Sequence, residues 1–376
     1  MSVSVDTVTK IRIGLAAATA AAAWAFRDVL PALGALSPGD RVKRSPHYRD
    51  GTFHNQGVSP NKARPGLVPG EFLRREQRQP LRPVPLRTPE FAAPAADASD
   101  PAELSVHWLG HGTSVVEIDG RRVLFDPVFS DRVSPSGIVG PKRVHPVPVR
   151  AEDLPRLDVI AISHDHYDHL DLPSVRTLLQ TQDAPFVVPL GVGAHLEKWG
   201  VPAGRIVELD WDEHAVVAGL KITATPSYHF SGRGLKRNPT LWCSFVVATG
   251  TEPGRPETKV FYTGDSGYFD GYARIGEQHG PFDLTLMQVG AYSDAWSDIH
   301  MTPEEAVTAH LDLRGGLLVP VHWATFVLAM HPWAEPARRL LEDAEARGVT
   351  VAIPRPGERV EVAAPPKPDG WWEELA

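Results

Sequence analysis

The chain has 376 residues, with 46 Asp+Glu against 38 Lys+Arg and a formal charge of −8. A hydrophobic fraction of 42% beside 22% charged residues excludes wholesale disorder and a multi-span membrane protein. The single cysteine, Cys243, excludes an internal disulfide and any CxxC zinc or redox motif.

Lys10 and Arg12 precede an uncharged, alanine-rich run from Ile13 to Phe26, closed by Arg27 and Asp28. The run is shorter than the roughly 20 residues that span a bilayer. It matches a signal-peptide core in length, with Ala23-Trp24-Ala25 as a weak cleavage site. Residues 1–40 are therefore open to three roles: a signal or anchor, a helix lying on a membrane, or a helix packed on the protein itself. Residues 41–102 read as a Pro-rich extended arm that wraps or links. Twelve prolines fall between Pro31 and Pro101, and from Arg41 to Glu90 eleven Lys/Arg face four Asp/Glu, a local +7. A basic arm before an acidic body suits contact with an anionic surface. A solvated linker accounts for the same charge.

Residues 103–365 read as one domain of short strands and helices. Val106–Leu109, Thr113–Ile118 and Arg121–Asp126 are predicted strands, the last two joined by the hairpin signal Asp119-Gly120. Asp158–Ser163 is a continuous apolar run of the kind found in buried strands. Leu172–Gln180 and Gly193–Trp199 are predicted helices, alternating with strands at Phe186–Leu190 and Arg205–Leu209. Further strands are expected at Val216–Thr225, Leu241–Ala248, Lys259–Tyr262, Leu284–Val289 and Leu317–Val321. Thr302 as N-cap, Pro303 at the first position and Glu305 at the third start a helix running to about Leu311. Glu335–Arg347 is a second amphipathic helix, ended by Gly348. The expectation is an α+β fold of two packed sheets with helices outside, without a visible sequence repeat.

His164-Asp165-His166-Tyr167-Asp168-His169 follows the apolar run. Four ligand-type side chains within six residues suit zinc or a similar divalent ion. Four such neighbours crowd a single tetrahedral ion. A turn that sends the first two histidines one way and the Asp-His pair another serves two. His229, Asp265 and His322 each follow a predicted strand, where a site between strands is assembled. Gly264 beside Asp265 permits a close backbone approach.

The pattern H-x-H-x-D-H, then a lone His, a Gly-Asp and a final His resembles the metal signature of the metallo-β-lactamase fold, a four-layer αββα sandwich. A closer resemblance is to the phospholipase D family that hydrolyses N-acylphosphatidylethanolamine. It rests on HWLGHGTS, FDPVFS, SPSGIVGPKR, ISHDHYDHLD, VPLG, ELDW, TPSYHF, TGDSGY, GPFDL, GAY, HMTPEEAV and HWATF, in family order from Leu104 to Leu328, about 60% of the chain. Phe53-His54-Asn55 is a further match in the arm. The resemblance implies that His164, His166 and His229 hold one zinc and that Asp168, His169 and His322 hold a second. Asp265 would bridge the two Zn2+ (or comparable) ions, and a hydroxide between them would attack phosphorus. Cys243 matches no ligand position.

Other residues carry expectations of supporting roles. Asp126, in FDP, would orient a metal-bound histidine or simply form a turn before Pro127. His111 is open to the same role or to capping the GHGTS turn. His300 matches a family histidine and would face the substrate phosphate. Tyr292 and Trp296 would line an acyl-chain groove or pack down. The sequence departs from the family at SYHFSGRG and between Tyr292 and Ile299, both expected to border the substrate.

The reading that follows is a zinc-dependent phosphodiesterase converting N-acylphosphatidylethanolamine or a related phospholipid to phosphatidate and an N-acylethanolamine. Its catalytic residues would be Asp265, Asp168, His300 and Asp126. The alternatives are a lactonase or other metallo-hydrolase of the same fold with a soluble substrate, and a non-catalytic scaffold. Expected partners are the phospholipid and, peripherally, an anionic membrane, with a homodimer as a candidate assembly. No nucleic-acid partner is expected, since the body is acidic and no basic groove is legible outside the arm. The expected location is cytoplasmic and membrane-associated, with export or anchoring through residues 13–26 as the alternative.

Overall fold

The computed structural model describes residues 27–61, 77–92, 104–250 and 257–376. The Ile13–Phe26 run and the basic pair Arg74 and Arg75 lie outside the described residues. A helical turn at Val29–Ala32 and a 3-10 turn at Gly39–Arg44 lead into a short ribbon, β1 (Tyr48–Arg49) and β2 (Thr52–Phe53). The first large sheet then forms from β3 (Ser105–Gly110), β4 (Thr113–Ile118), β5 (Arg121–Phe125), β6 (Val159–Ala161), β7 (Phe186–Pro189) and β8 (Ile206–Leu209). The second comprises β9 (His214–Val217), β10 (Leu220–Thr225), β11 (Ser244–Thr249), β12 (Lys259–Tyr262), β13 (Phe282–Gln288), β14 (Gly315–Val321) and β15 (Thr350–Val351). Strand β16 (Arg359–Glu361) returns to the first sheet beside β3.

The strand orders are β16-β3-β4-β5-β6-β7-β8 and β15-β14-β13-β12-β11-β10-β9. Each sheet has three antiparallel pairings at one end and three parallel ones at the other. The chain thus repeats a topology without repeating a sequence. Parallel neighbours need a crossover, and helices supply five of the six: α1 (Leu172–Thr181), α2 (Gly193–Lys198), α3 (Gly271–His279), α4 (Pro303–Asp312) and α5 (Glu335–Ala346). The sixth, from β5 to β6, runs through the long loop that carries the GPKR motif.

Strand alternation explains the layers. Val106, Val116 and Val123 lie opposite one another and face the second sheet, with Trp108, Ile118 and Phe125 on the same side. Val115 and Leu124, one residue out of phase, face Val175 and Leu178 of α1 and Leu196 of α2. Burying a side chain of this size contributes roughly 1.5–3 kcal/mol. The expected α+β sandwich with helices outside is the fold observed.

Some expectations need correction. Val216–Thr225 is two strands, because Ala218 (φ 50°) and Gly219 (φ 81°) make a tight turn. An Ala-Gly pair is a weak hairpin signal, since alanine resists the left-handed region. Leu241–Cys243 stays outside the ladder: Leu241 and Cys243 give their N–H groups to Leu190 and Ser163 of first-sheet loops. Helix α3, with two glycines, and the short edge strands β15 and β16 had no pattern strong enough to read.

The boundaries drawn at 41, 103 and 365 do not separate independent units. Val42, Phe53 and Val84 of the arm lie in the main core, and so do Trp371, Trp372 and Leu375 beyond residue 365. Arg41 pairs with Glu197 at 2.7 Å and Glu208 at 3.1 Å, and Arg44 with Glu213 at 2.7 Å. The arm's described part therefore grips the body. Since Trp372 is only 1% exposed, Trp372→Ala should cost about 3–5 kcal/mol in urea unfolding. A loss below about 0.5 kcal/mol, the size of an ordinary surface change, would detach the C-terminal tail from the core.

Candidate metal centre

The polar ligand-type residues gather where strands of both sheets end. Strand β5 leads into Asp126, β6 into His164–His169, β10 into His229, β12 into Asp265 and β14 into His322. Gly264 (φ 57°) lets Asp265 reach the centre: a Cβ there would lie 2.6 Å from that of Ser163, the residue before His164. His111, Asp126, Ala291, His322 and Ala324 also take positive φ. Left-handed backbone in residues other than glycine costs on the order of 1 kcal/mol each and collects at functional sites.

Three nitrogens converge first. His164 Nε2 lies 2.9 Å from His166 Nδ1, which lies 3.3 Å from His229 Nε2. The opposite ring nitrogens fix the tautomers. His164 Nδ1 donates to Ser163 Oγ at 2.9 Å, and His229 Nδ1 donates to the Ile299 carbonyl at 3.0 Å. Their Nε2 atoms therefore present bare lone pairs toward one point. Burial, then the neighbouring histidines, push the His164 imidazole well below its usual range. Burial also lowers His166 and His229.

The second gathering surrounds Asp168, His169 and His322. Asp168 Oδ2 lies 3.3 Å from His322 Nε2 and 3.6 Å from His169 Nε2. Asp265 stands between the two groups. Its Oδ1 is 3.2 Å from His322 Nε2, while its Oδ2 is 3.2 Å from His169 Nε2 and 3.8 Å from His229 Nε2. Burial opposes ionisation of both carboxylates, yet their histidine neighbours hold them well below the usual range. Burial likewise opposes a charged His322, but Asp265 and Asp168 outweigh it and raise the imidazole to about 9. The carboxylates draw positive charge to this end of the centre.

These residues fit metal ions. A tetrahedral ion with bonds of about 2.0–2.1 Å spaces its ligand atoms about 3.3 Å apart, near the separations found here. The donor set, imidazole with carboxylate, suits zinc and its neighbours. Four overlapping groups are able to hold an ion: His164, His166 and His229; His164, His169 and Asp265; His111, Asp168, His169 and His322; and His229, Asp265 and His300. All seven residues expected as ligands fall in these groups. His111 and His300 fall within reach too, a possibility the sequence reading did not weigh.

Asp126 is fully buried. Its Oδ2 accepts from His169 Nδ1, Ser163 Oγ and Tyr262 O–H, each at 2.6 Å, and its Oδ1 from Ser163 N–H at 2.7 Å. It thereby aims His169 Nε2 inward. His111 orients a carboxylate instead: its Nε2 lies 2.9 Å from Asp168 Oδ2, and its carbonyl accepts from the His322 N–H. Ser163 and Tyr262 were missed in the sequence, although both adjoin ligand motifs. Asn55 was noticed only as a matching letter. Its side chain clamps His229, donating to that residue's carbonyl at 2.9 Å and accepting from its N–H at 3.1 Å.

A cavity of about 280 Å³ opens over the centre. His166, Asp168, Asp265 and His300 form its polar part, and Phe230, Ala291, Trp296, Ile299 and Leu328 its apolar wall. Trp296 is held by its indole N–H on the Ala291 carbonyl at 2.7 Å. Tyr292 packs away from the cavity, stacked on His331 and bonded to Glu335. Cys243 is buried and joins none of the groups.

Residues 121–323 match the family model for the beta-lactamase superfamily domain. The chain belongs to the beta-lactamase superfamily. An uncharacterised protein of Mycobacterium tuberculosis is 48% identical to it over 95% of this chain and 96% of its own. The N-acyl-phosphatidylethanolamine-hydrolyzing phospholipase D 1 of Caenorhabditis elegans is 35% identical over 67% of this chain and 73% of its own. A metallo hydrolase from the archaeon Ignicoccus hospitalis shares the fold: it covers 68% of this chain and 97% of its own at a TM-score of 0.51 and 23% identity. The superfamily member described here has the metallo-β-lactamase fold and is a metal-dependent hydrolase.

Asp126→Asn removes the charge that orients His169 and should weaken metal retention by about 10–100-fold. Asp265→Asn, altering the carboxylate between both groups, should weaken it more. Elemental analysis after dialysis against graded chelator compares the two. A greater loss from Asp126→Asn would reverse the roles given to these aspartates.

Proposed function

We propose that the chain is a phosphodiesterase of phospholipase D type, acting on N-acylphosphatidylethanolamine or a related phospholipid. The observation that carries this reading is the pairing of two ligand groups through Asp265 beneath an apolar wall. The similarity to the Caenorhabditis elegans enzyme supports the substrate class. In this reading His164, His166 and His229 hold one zinc or comparable ion, Asp168, His169 and His322 hold a second, and Asp265 serves both. Such ions supply Lewis acidity, stabilising charge on phosphoryl oxygens and lowering the pKa of water.

The chain's own residues do the rest. Asp126, Ser163 and Asn55 fix the ligand histidines, so little reorganisation accompanies reaction. His300 borders the cavity, with Nε2 3.9 Å from Asp265 Oδ2 and Nδ1 unpartnered. Burial lowers its imidazole to about 4, so at neutral pH it is an uncharged donor for a phosphoryl oxygen. Phe230, Trp296, Ile299 and Leu328 exclude water and suit the apolar part of a lipid. The modest cavity favours a second reading, a lactonase or other hydrolase of a small soluble substrate.

Two zinc ions per chain are expected by elemental analysis in saturating zinc. The zinc-loaded protein should turn over N-acylphosphatidylethanolamine and, more slowly, a bis-aryl phosphodiester. Turnover of a lactone alone would favour the soluble-substrate reading, and a stoichiometry of one would remove the paired-ion arrangement.

Membrane contact through the arm belongs to the same proposal. Among the described residues no helix is long and apolar enough to cross a membrane. Arg41 and Arg44 pair with acids of the body, so the proposed contact is assigned to a different basic cluster of the arm. Changing Arg74, Arg75, Arg78 and Arg82 to Gln should abolish salt-sensitive co-sedimentation with anionic vesicles. Equal binding by variant and parent would reduce the arm to a strap.

A further inference from the structure

The metal-binding loop has a second side, facing away from the cavity. Asp165 stands between two ligand histidines but belongs to none of the metal groups. Its fully buried carboxylate accepts from Gly232 N–H at 2.7 Å and Thr240 Oγ at 3.0 Å, and lies 3.4 Å from His195 Nε2. Arg233, only 5% exposed, closes the same side. One of its nitrogens, Nη1, donates to the carbonyls of Asp165 at 2.6 Å and Leu170 at 2.7 Å, bracketing the loop's start and end. Its Nε donates to the Ala32 carbonyl at 2.8 Å, and its guanidinium lies over the rings of Tyr167 and Trp199.

The N-terminal segment completes this arrangement. Trp199 Nε1 donates to the Pro31 carbonyl at 2.8 Å, and the Ala35 N–H donates to His195 Nδ1 at 3.0 Å. The latter bond makes Nδ1 an acceptor and turns Nε2 toward Asp165. Gly34 (φ 68°) makes the approach possible, since a Cβ there would fall 2.2 Å from His195 Nδ1.

We infer that Arg233 is a positioning residue for the metal loop, and that residues 31–35 hold Arg233 and His195 in place. The physical reason is geometric. A guanidinium donates along fixed directions in one plane, so three carbonyls bonded to it are fixed relative to one another. Two belong to the loop carrying His166, Asp168 and His169, and the third to the N-terminal segment. Disturbing residues 31–35 therefore loosens metal ligands that they never touch. The SYHFSGRG stretch, expected from sequence to border substrate, reaches the cavity through Phe230, while Arg233 turns inward.

The inference rests on the metal assignment and is independent of the lipid substrate. The test is Co2+ titration of the full-length apoprotein, followed by the visible d–d absorption, with near-UV circular dichroism reporting the fold. Arg233→Lys keeps the charge but replaces the planar fork by one rotating ammonium, which does not hold three carbonyls in fixed directions. It should bind Co2+ about 10–100-fold more weakly, with an altered d–d spectrum. Gly34→Val, remote from every ligand, should shift affinity in the same direction. The double variant should be no weaker than Arg233→Lys alone, because both act along one path. A folded Arg233→Lys with parental affinity and spectrum would overturn the inference. If that variant does not fold, a folded Gly34→Val with parental affinity does so. A parent that binds no Co2+ would sink the metal assignment with it, whereas a parent that binds Co2+ but cleaves no phosphodiester would sink only the substrate reading.

Discussion

Bare imidazole lone pairs and ionised carboxylates are packed within a few ångströms of one another, away from water. His164 and His229 hold their protons on Nδ1, so both aim Nε2 lone pairs at His166 Nδ1, which has at most one proton to offer between them. Asp168, Asp265 and Asp126 add buried negative charge that is costly without a cation nearby. The rest of the architecture serves this convergence. Two sheets bring their strand ends to one edge, and positive-φ backbone turns His111, Asp126 and His322 into place. Three of the imidazoles are aimed by what holds the other nitrogen: Asp126 for His169, Ser163 for His164 and Ile299 for His229.

The parts legible in the sequence were those whose physics is local. The Asp119-Gly120 turn, the Thr302 capping box and the apolar run before His164 each declare themselves within a few residues. The ligand cluster was legible because six consecutive residues carried most of it. What escaped depends on partners far along the chain. Asn55 matters because it meets His229, and Tyr262 because it meets Asp126. Serine, tyrosine and asparagine occur everywhere, so their types alone carry no signal. Helix α3 and strands β15 and β16 escaped for a related reason, being formed by tertiary pairing more than by pattern.

Charge counting illustrates the same limit. The local +7 of the arm suggested an outward-facing surface, yet Arg41 and Arg44 turn inward onto Glu197, Glu208 and Glu213. These pairs are partly exposed and individually worth little. Their weight lies in register: together with Val42 and Phe53 in the core, they lay the arm along the body at one position. A net charge reports composition, and only the fold says which charges remain free to meet a partner.

The stretch from Ser227 to Gly234 shows how closely the centre's tasks are joined. Within it, His229 enters the ligand group, Phe230 walls the cavity, Gly232 holds Asp165 and Arg233 brackets the metal loop. Arg237 extends the connection by stacking on the Phe230 ring. A change that reshapes the apolar wall here therefore also strains the backbone that positions the ligands. On the opposite wall, Trp296 is tied to Ala291, whose N–H is held by His331. That side is joined to the centre as well: Ile299 donates its N–H to the Trp296 carbonyl and holds His229 Nδ1 through its own carbonyl, so a shift of either wall reaches a ligand histidine.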